Sequence, residues 1–136
     1  MERVHQIILC YKNPDNGFGH GFEYDLKAPQ SNPLALEYLL SVMRNAQLPA
    51  GTVFEGTSDW VEGAMDADGF LKNPPETYDY PLAPWWQETG GQNLPDAIVA
   101  NLMHYKVAKP SLIEKVTQWA THNWTLDKVR TNEWLF

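Results

Sequence analysis

Cysteine is nearly missing from the 136 residues, and the lone Cys10 allows no internal disulfide, which fits a reducing compartment. Long apolar runs are missing too. The N-terminal MERVHQIILCYKN holds only IILC, too short for a signal-peptide core and far short of the roughly 20 apolar residues that span a bilayer. A cytoplasmic protein without a membrane partner is the expectation. No glycine loop of the P-loop or dinucleotide type appears, which argues against nucleotide chemistry. Neither internal repeats nor low-complexity tracts occur, so a solenoid or a linker is not expected.

Positive charge is scarce in one place. The net charge is -7, and residues 45–105 hold nine carboxylates against Lys72 alone, whereas residues 106–136 hold five basic and three acidic side chains. A field of that sign repels phosphate, since nucleic-acid binding depends on cationic side chains that release counterions, so direct nucleic-acid binding is not expected. It would steer a basic protein toward the chain instead. Mild acidity that serves only solubility is the plainer reading.

What the chain does have is a packable composition, with 43% apolar and 12% aromatic residues, enough for one domain over 1–136. VHQIILCY (4–11) and FEYDL (22–26) read as strands, the first by its β-branched residues and the second by alternation. The turn-rich NPDNGFGHG between them makes a hairpin with a long tip. Asn32 as cap, Pro33 at the first helical position and Leu36, Leu39, Leu40 and Met43 on one face predict a helix over 33–46. TVFE suggests a third short strand near 53.

A short helix is expected in TSDWVEGAMDADG, with Asp59 and Glu62 as a capping box and Asp59, Glu62 and Asp66 together on its solvent face. LPDAIVANLMHYK and PSLIEKVTQWATHNW predict two more helices. The first would bury Ile98, Val99, Leu102 and Met103, and the second would start on a Ser111–Glu114 capping box and bury Ile113, Val116 and Ala120. TLDKVRTNEW adds a last one, with Leu126 and Val129 inward, before a Trp-Leu-Phe end that would have to dock. The expected fold class is α+β, a small antiparallel sheet packed against three to five helices.

Searches for chemistry return little. His20, Glu23 and Asp25 lack a second histidine at a ligand spacing, and in DADG (66–69) the glycine falls two positions early for a calcium loop, so neither a metal nor another cofactor is expected. His5 and Cys10 would face opposite sides of a strand, Cys10 reads as a buried small residue, and Ser58 lacks the second glycine of a nucleophile elbow and suits a helix cap. His104 and His122 read as histidines at the edge of the core. No catalytic residue is assigned, although seventeen carboxylates keep acid–base catalysis open.

The most unusual stretch is NPPETYDYPLAPWW (73–86). Its prolines at 74, 75, 81 and 84 hold the backbone near polyproline angles and forbid a regular helix, so an extended, pre-ordered loop follows. Tyrosine and tryptophan are enriched at binding hot spots, and one of the adjacent Trp85 and Trp86 can face the core while the other faces a partner. A structural crossover whose aromatics pack onto helices is the plainer alternative. If the stretch binds, an aromatic centre of Tyr78, Tyr80, Trp85 and Trp86 sits inside an acidic rim of Asp59, Glu62, Asp66, Asp68, Glu76, Asp79 and Glu88. The expected function is then inhibition of a basic protein, a toxin nuclease or a nucleic-acid-handling complex, in the manner of immunity or anti-defence proteins. A small enzyme or ligand-binding domain, and a subunit of a larger assembly, are the alternatives.

Overall fold

The computed structural model describes residues 2–88 and 92–131. Among them helices dominate: α1 (Glu2–Leu9), α2 (Pro33–Asn45), α3 (Thr57–Ala64), α4 (Pro84–Glu88), α5 (Asp96–His104), α6 (Pro110–Asn123) and α7 (Leu126–Thr131). Extended pairing is limited to a two-residue antiparallel ladder, β1 (Leu71–Lys72) with β2 (Gln92–Asn93), and isolated bridges. The expected α+β sheet is therefore overturned, and the fold is mostly helical.

Each of the three expected strands fails for an identifiable reason. In 4–11, Val4, Ile7 and Ile8 stand at helical spacing, and α1 forms with Ile8 buried. Cys10 follows the helix and is exposed, with its Sγ donating to the Gln6 carbonyl at 3.4 Å. In 22–26 the alternation breaks in the middle: the carboxylate Glu23 is 8% exposed while Tyr24 is 63% exposed, and Leu26, buried as expected, makes only an isolated bridge to Leu82. Residues 52–55 turn instead, because Val53 and Phe54 are both buried and Lys12 Nζ donates to the carbonyls of Val53 and Glu55. The expected hairpin leaves one trace, the isolated Lys12–Phe18 bridge where the chain does reverse.

Helix α2 forms as its sequence dictates. Asn32 Oδ1 accepts from the Ala35 amide at 2.8 Å, Pro33 opens the helix, and Leu36, Leu39, Leu40 and Met43 are fully buried. The core they start is completed by Phe18, Phe54 and Val61, by Ile98, Val99 and Leu102 of α5, and by Leu112 and Val116 of α6. Met103 stays outside, 48% exposed, as does Leu126 of α7. Arg44 of α2 also donates to Asn101 Oδ1 on α5 at 2.8 Å.

The helix starts of α3 and α6 are built across the fold rather than within each helix. Gly56, at φ 73°, precedes α3, so Ser58 lies inside the helix and does not cap it. Its Oγ accepts from the Lys109 amide at 2.9 Å, at the start of α6. Ser111 likewise serves no capping box, since its hydroxyl donates to Glu62 Oε2 at 2.8 Å. Residue 119 corrects the face expected for α6: Leu112, Val116, Trp119 and Asn123 are buried, and Trp119 packs edge-on against Phe70 at 5.5 Å.

Candidate functional site

The stretch 73–86 is anchored at both ends and exposed between them. Pro75–Asp79 is a turn of 3-10 helix and Pro84–Glu88 is α4, each opened by the proline that was expected to forbid helix; proline lacks a hydrogen but suits a first helical position. Thr77 is buried, and its amide donates to the Pro74 carbonyl at 2.9 Å. At the far end the Lys27 amide donates to Pro81 O at 3.0 Å and the Ala83 amide to Asp25 O at 2.8 Å. Leu82 and Trp86 pack on Leu26, Ala28 and Leu34, a second apolar cluster.

Between these anchors the side chains point outward. Tyr78 and Tyr80 are more than a third exposed and Trp85 is 53% exposed, with Glu76, Asp79, Pro81 and Pro84 also on the surface. The two tryptophans divide, Trp86 against the second apolar cluster and Trp85 outward, on a turn of helix where an extended backbone was expected. The residues from 75 to 85 thus form a ridge of aromatic and acidic side chains on a fixed backbone.

The carboxylates of α3 and of the turn that follows it have a different setting. Asp59 pairs with Lys109 Nζ, Glu62 with Lys115 Nζ at 2.7 Å, and Asp66 with Lys72 Nζ at 3.3 Å. Bonds to Lys115 and Ser111 hold the Glu62 carboxyl below the usual range. For Asp66, burial alone would raise the value, but the Phe70 amide, Lys72 and the Asp68 amide outweigh it and keep the carboxyl low. Among the described residues Asp68, Glu76 and Asp79 make no ion pair, and the Glu88 side chain lies outside those residues. Of the acidic rim expected from sequence, three members face lysines and three face solvent.

A cleft was not anticipated. It is an open depression of about 750 Å³ between the 13–20 loop, residues 29–31, Trp60 and Ala64 of α3, and residues 72–75. The loop that reads as a long hairpin tip is densely bonded: Asp15 Oδ1 accepts from the Gly17 amide at 2.9 Å and from Ser31 Oγ at 2.7 Å. Asn13 Nδ2 donates to Pro29 O and to Ser31 Oγ, both at 3.0 Å, and His20 Nε2 donates to Asn13 Oδ1 at 2.8 Å. Gly17 is required there, because a Cβ would fall 2.4 Å from the Ser31 Cβ and 2.5 Å from the Trp60 ring. The signal available in the sequence was the crowding of Asn, Asp and Gly before an aromatic, Phe18, which plugs the core.

The remaining candidates do not assemble. No group of three potential ligands that could hold a metal occurs among the described residues. His104 and His122 are exposed and not at the core edge, and His5 Nε2 is held by the Pro49 carbonyl at 2.8 Å. Two carboxyls are pushed up: Glu23 chiefly by burial, and Glu37 by burial and then by the charges of Asp96 and Glu23. Neither lines the cleft, where Asp15 is the one carboxylate among the described residues. No helix among the described residues is long and apolar enough to cross a membrane. Comparison with protein-family models, curated proteins and solved structures finds nothing that matches the chain.

Proposed function

We propose that the chain is a small cytoplasmic binding protein that covers the cationic surface of a basic protein partner, a toxin nuclease or a nucleic-acid-handling complex, and thereby inhibits it. The observation that carries this reading is the ridge, where Tyr78, Tyr80 and Trp85 are exposed beside Glu76 and Asp79. Large amphipathic rings on a backbone fixed by Thr77, Pro81 and Ala83 would lose little freedom on binding. Their unpaired acidic neighbours supply charge complementary to a basic surface. The paired Asp59, Glu62 and Asp66 contribute little to that field, so the contact is drawn around the ridge and Asp68.

The test is affinity capture from the native cell's lysate with wild type and a Tyr78→Ala/Tyr80→Ala/Trp85→Ala variant, at low and high salt, after thermal melts confirm that the variant folds. Retention of a basic protein by wild type, its loss with the variant and its weakening by salt support the reading. Equal retention by the folded variant, or a partner without net positive charge, overturns it.

A ligand-binding domain is the second reading, favoured by the cleft. Acid–base catalysis by paired carboxylates gains no support there, since Asp15 stands alone and the two upshifted carboxyls lie elsewhere.

A further inference from the structure

The exposed aromatic surface does not stop at the ridge. Tyr24 is the most exposed aromatic side chain among the described residues, and it lines a shallow groove of about 220 Å³ with Asp25, Lys27 and residues 81–83. Backbone bonds from Ala83 to Asp25 and from Lys27 to Pro81 fasten the two segments side by side, and Trp85 follows two residues after Ala83. Tyr24 is thus continuous with the ridge. On its other side a row of rings in contact leads onto α2: the centroids of Tyr24 and Tyr38 are 6.1 Å apart, those of Tyr38 and Phe22 5.9 Å, and those of Phe22 and Tyr11 4.9 Å. Tyr38 is exposed as well, while the half-buried Phe22 and Tyr11 support it from behind.

The charge around this row is negative. Glu23, Asp25 and Glu37 make no ion pair among the described residues, and Lys27 at the groove offsets only one of the three. Glu37 directly precedes Tyr38 on α2 and lies within reach of the Glu23 charge. We infer that Tyr24 and Tyr38 belong to the binding face, and that cationic side chains of the basic partner lie on their rings beside Asp25 and Glu37. A tyrosine ring attracts a cation through its face, and a carboxylate without a counter-ion adds to that attraction. Rings already held by one another lose little freedom on binding. Size points the same way: a specific contact takes roughly 20–30 residues a side, more than the ridge from 75 to 85 supplies, so a partner seated there must cover neighbouring surface too. The inference deepens the proposed function and rests on it for the identity of the occupant.

The test needs no native partner. The six tyrosines would be labelled as 3-fluorotyrosine, assigned by single Tyr→Phe variants, and followed by fluorine-19 NMR during titration with hexa-arginine amide, with hexacitrulline amide as the uncharged control. Saturable shifts are expected at Tyr24 and Tyr38 with the midpoint seen at Tyr78 and Tyr80, while Tyr105, whose hydroxyl is buried, stays unmoved. Binding should be at least tenfold weaker with the citrulline peptide and at least threefold weaker in Tyr24→Ala, read at Tyr38, or in Glu37→Gln. Absence of saturation at Tyr24 and Tyr38, equal binding of the citrulline peptide, or equal shifts at Tyr105 overturns the inference. The wild-type titration decides this even if a variant fails to fold. The two readings fail separately: shifts confined to Tyr78 and Tyr80 would sink the extension and leave the ridge, whereas shifts confined to Tyr24 and Tyr38 would keep the extension and count against the ridge.

Discussion

The carboxylates of α3 and those of the ridge lie close in sequence and look alike there, yet the fold gives them opposite surroundings. Asp59 and Glu62 meet Lys109 and Lys115, brought from the start of α6, whereas Glu76 and Asp79 meet no cation among the described residues. Charge counted along a chain therefore overstates the field that a partner would meet. One acidic group joins two helices, and the other is left to solvent.

The largest effect that could break this division is on partner affinity. Truncating a central aromatic hot spot costs about 2 kcal/mol or more, roughly a 30-fold loss, so Trp85→Ala alone should be readily measured by surface plasmon resonance. Asp59→Ala with Glu62→Ala should change affinity by no more than about fivefold, as exposed ion pairs are worth ~0–1 kcal/mol. If the α3 variant were the weaker binder, the contact would lie on the α3–α6 seam instead.

Next in size is the association rate. Glu76→Gln with Asp79→Asn should slow association severalfold at low ionic strength and flatten its salt dependence, because unpaired surface charges steer encounter and are screened over about 10 Å at 0.1 M salt. Glu62→Gln should not flatten the salt dependence. Stopped-flow rates across a salt series decide between them.

A stability measurement separates the regions in the other direction. Ser58 is buried on α3 and accepts from the Lys109 amide, so Ser58→Ala leaves that amide without its acceptor and should cost about 1 kcal/mol. Urea melts should show a lower midpoint with an unchanged slope, and partner affinity should not move. A ridge substitution such as Tyr78→Ala should do the reverse.

How far the sequence could be read follows from the range of the interactions. Helix α2 was legible because its cap, its proline and its leucine stripe lie within one segment. Prolines and aromatics mark the ridge locally, but the outward Trp85 and inward Trp86 are set by a turn of helix where an extended loop was expected. What was lost depended on partners distant in sequence. Ser58 reads as a cap for α3 until α6 claims it, and the α3 acids read as a free face until Lys109 and Lys115 arrive. The N-terminal strands were lost differently: β-branched residues outweighed the helical spacing of Val4, Ile7 and Ile8, and the buried Glu23 and exposed Tyr24 broke the alternation of 22–26.

The smallest expected effects come from carboxylates held by opposite causes, and their signs differ. Asp66 is held low by two amides and Lys72 despite its burial, so it stabilises the fold above its unfolded value, about 3.9, and that contribution is lost as pH falls through its lower folded value. Asp66→Asn should accordingly flatten the acid limb of a stability–pH curve. Glu37 is raised by burial and by Asp96 and Glu23, so the folded chain holds its proton more readily and stability falls as pH rises from about 4.3 through the raised folded value. Glu37→Gln should then melt at a higher temperature than wild type near neutral pH, with the gain vanishing below pH ~4. If Glu37→Gln were destabilising at pH 7, the charged carboxylate would have a favourable partner there, and the division between paired and crowded carboxylates would not hold at α2.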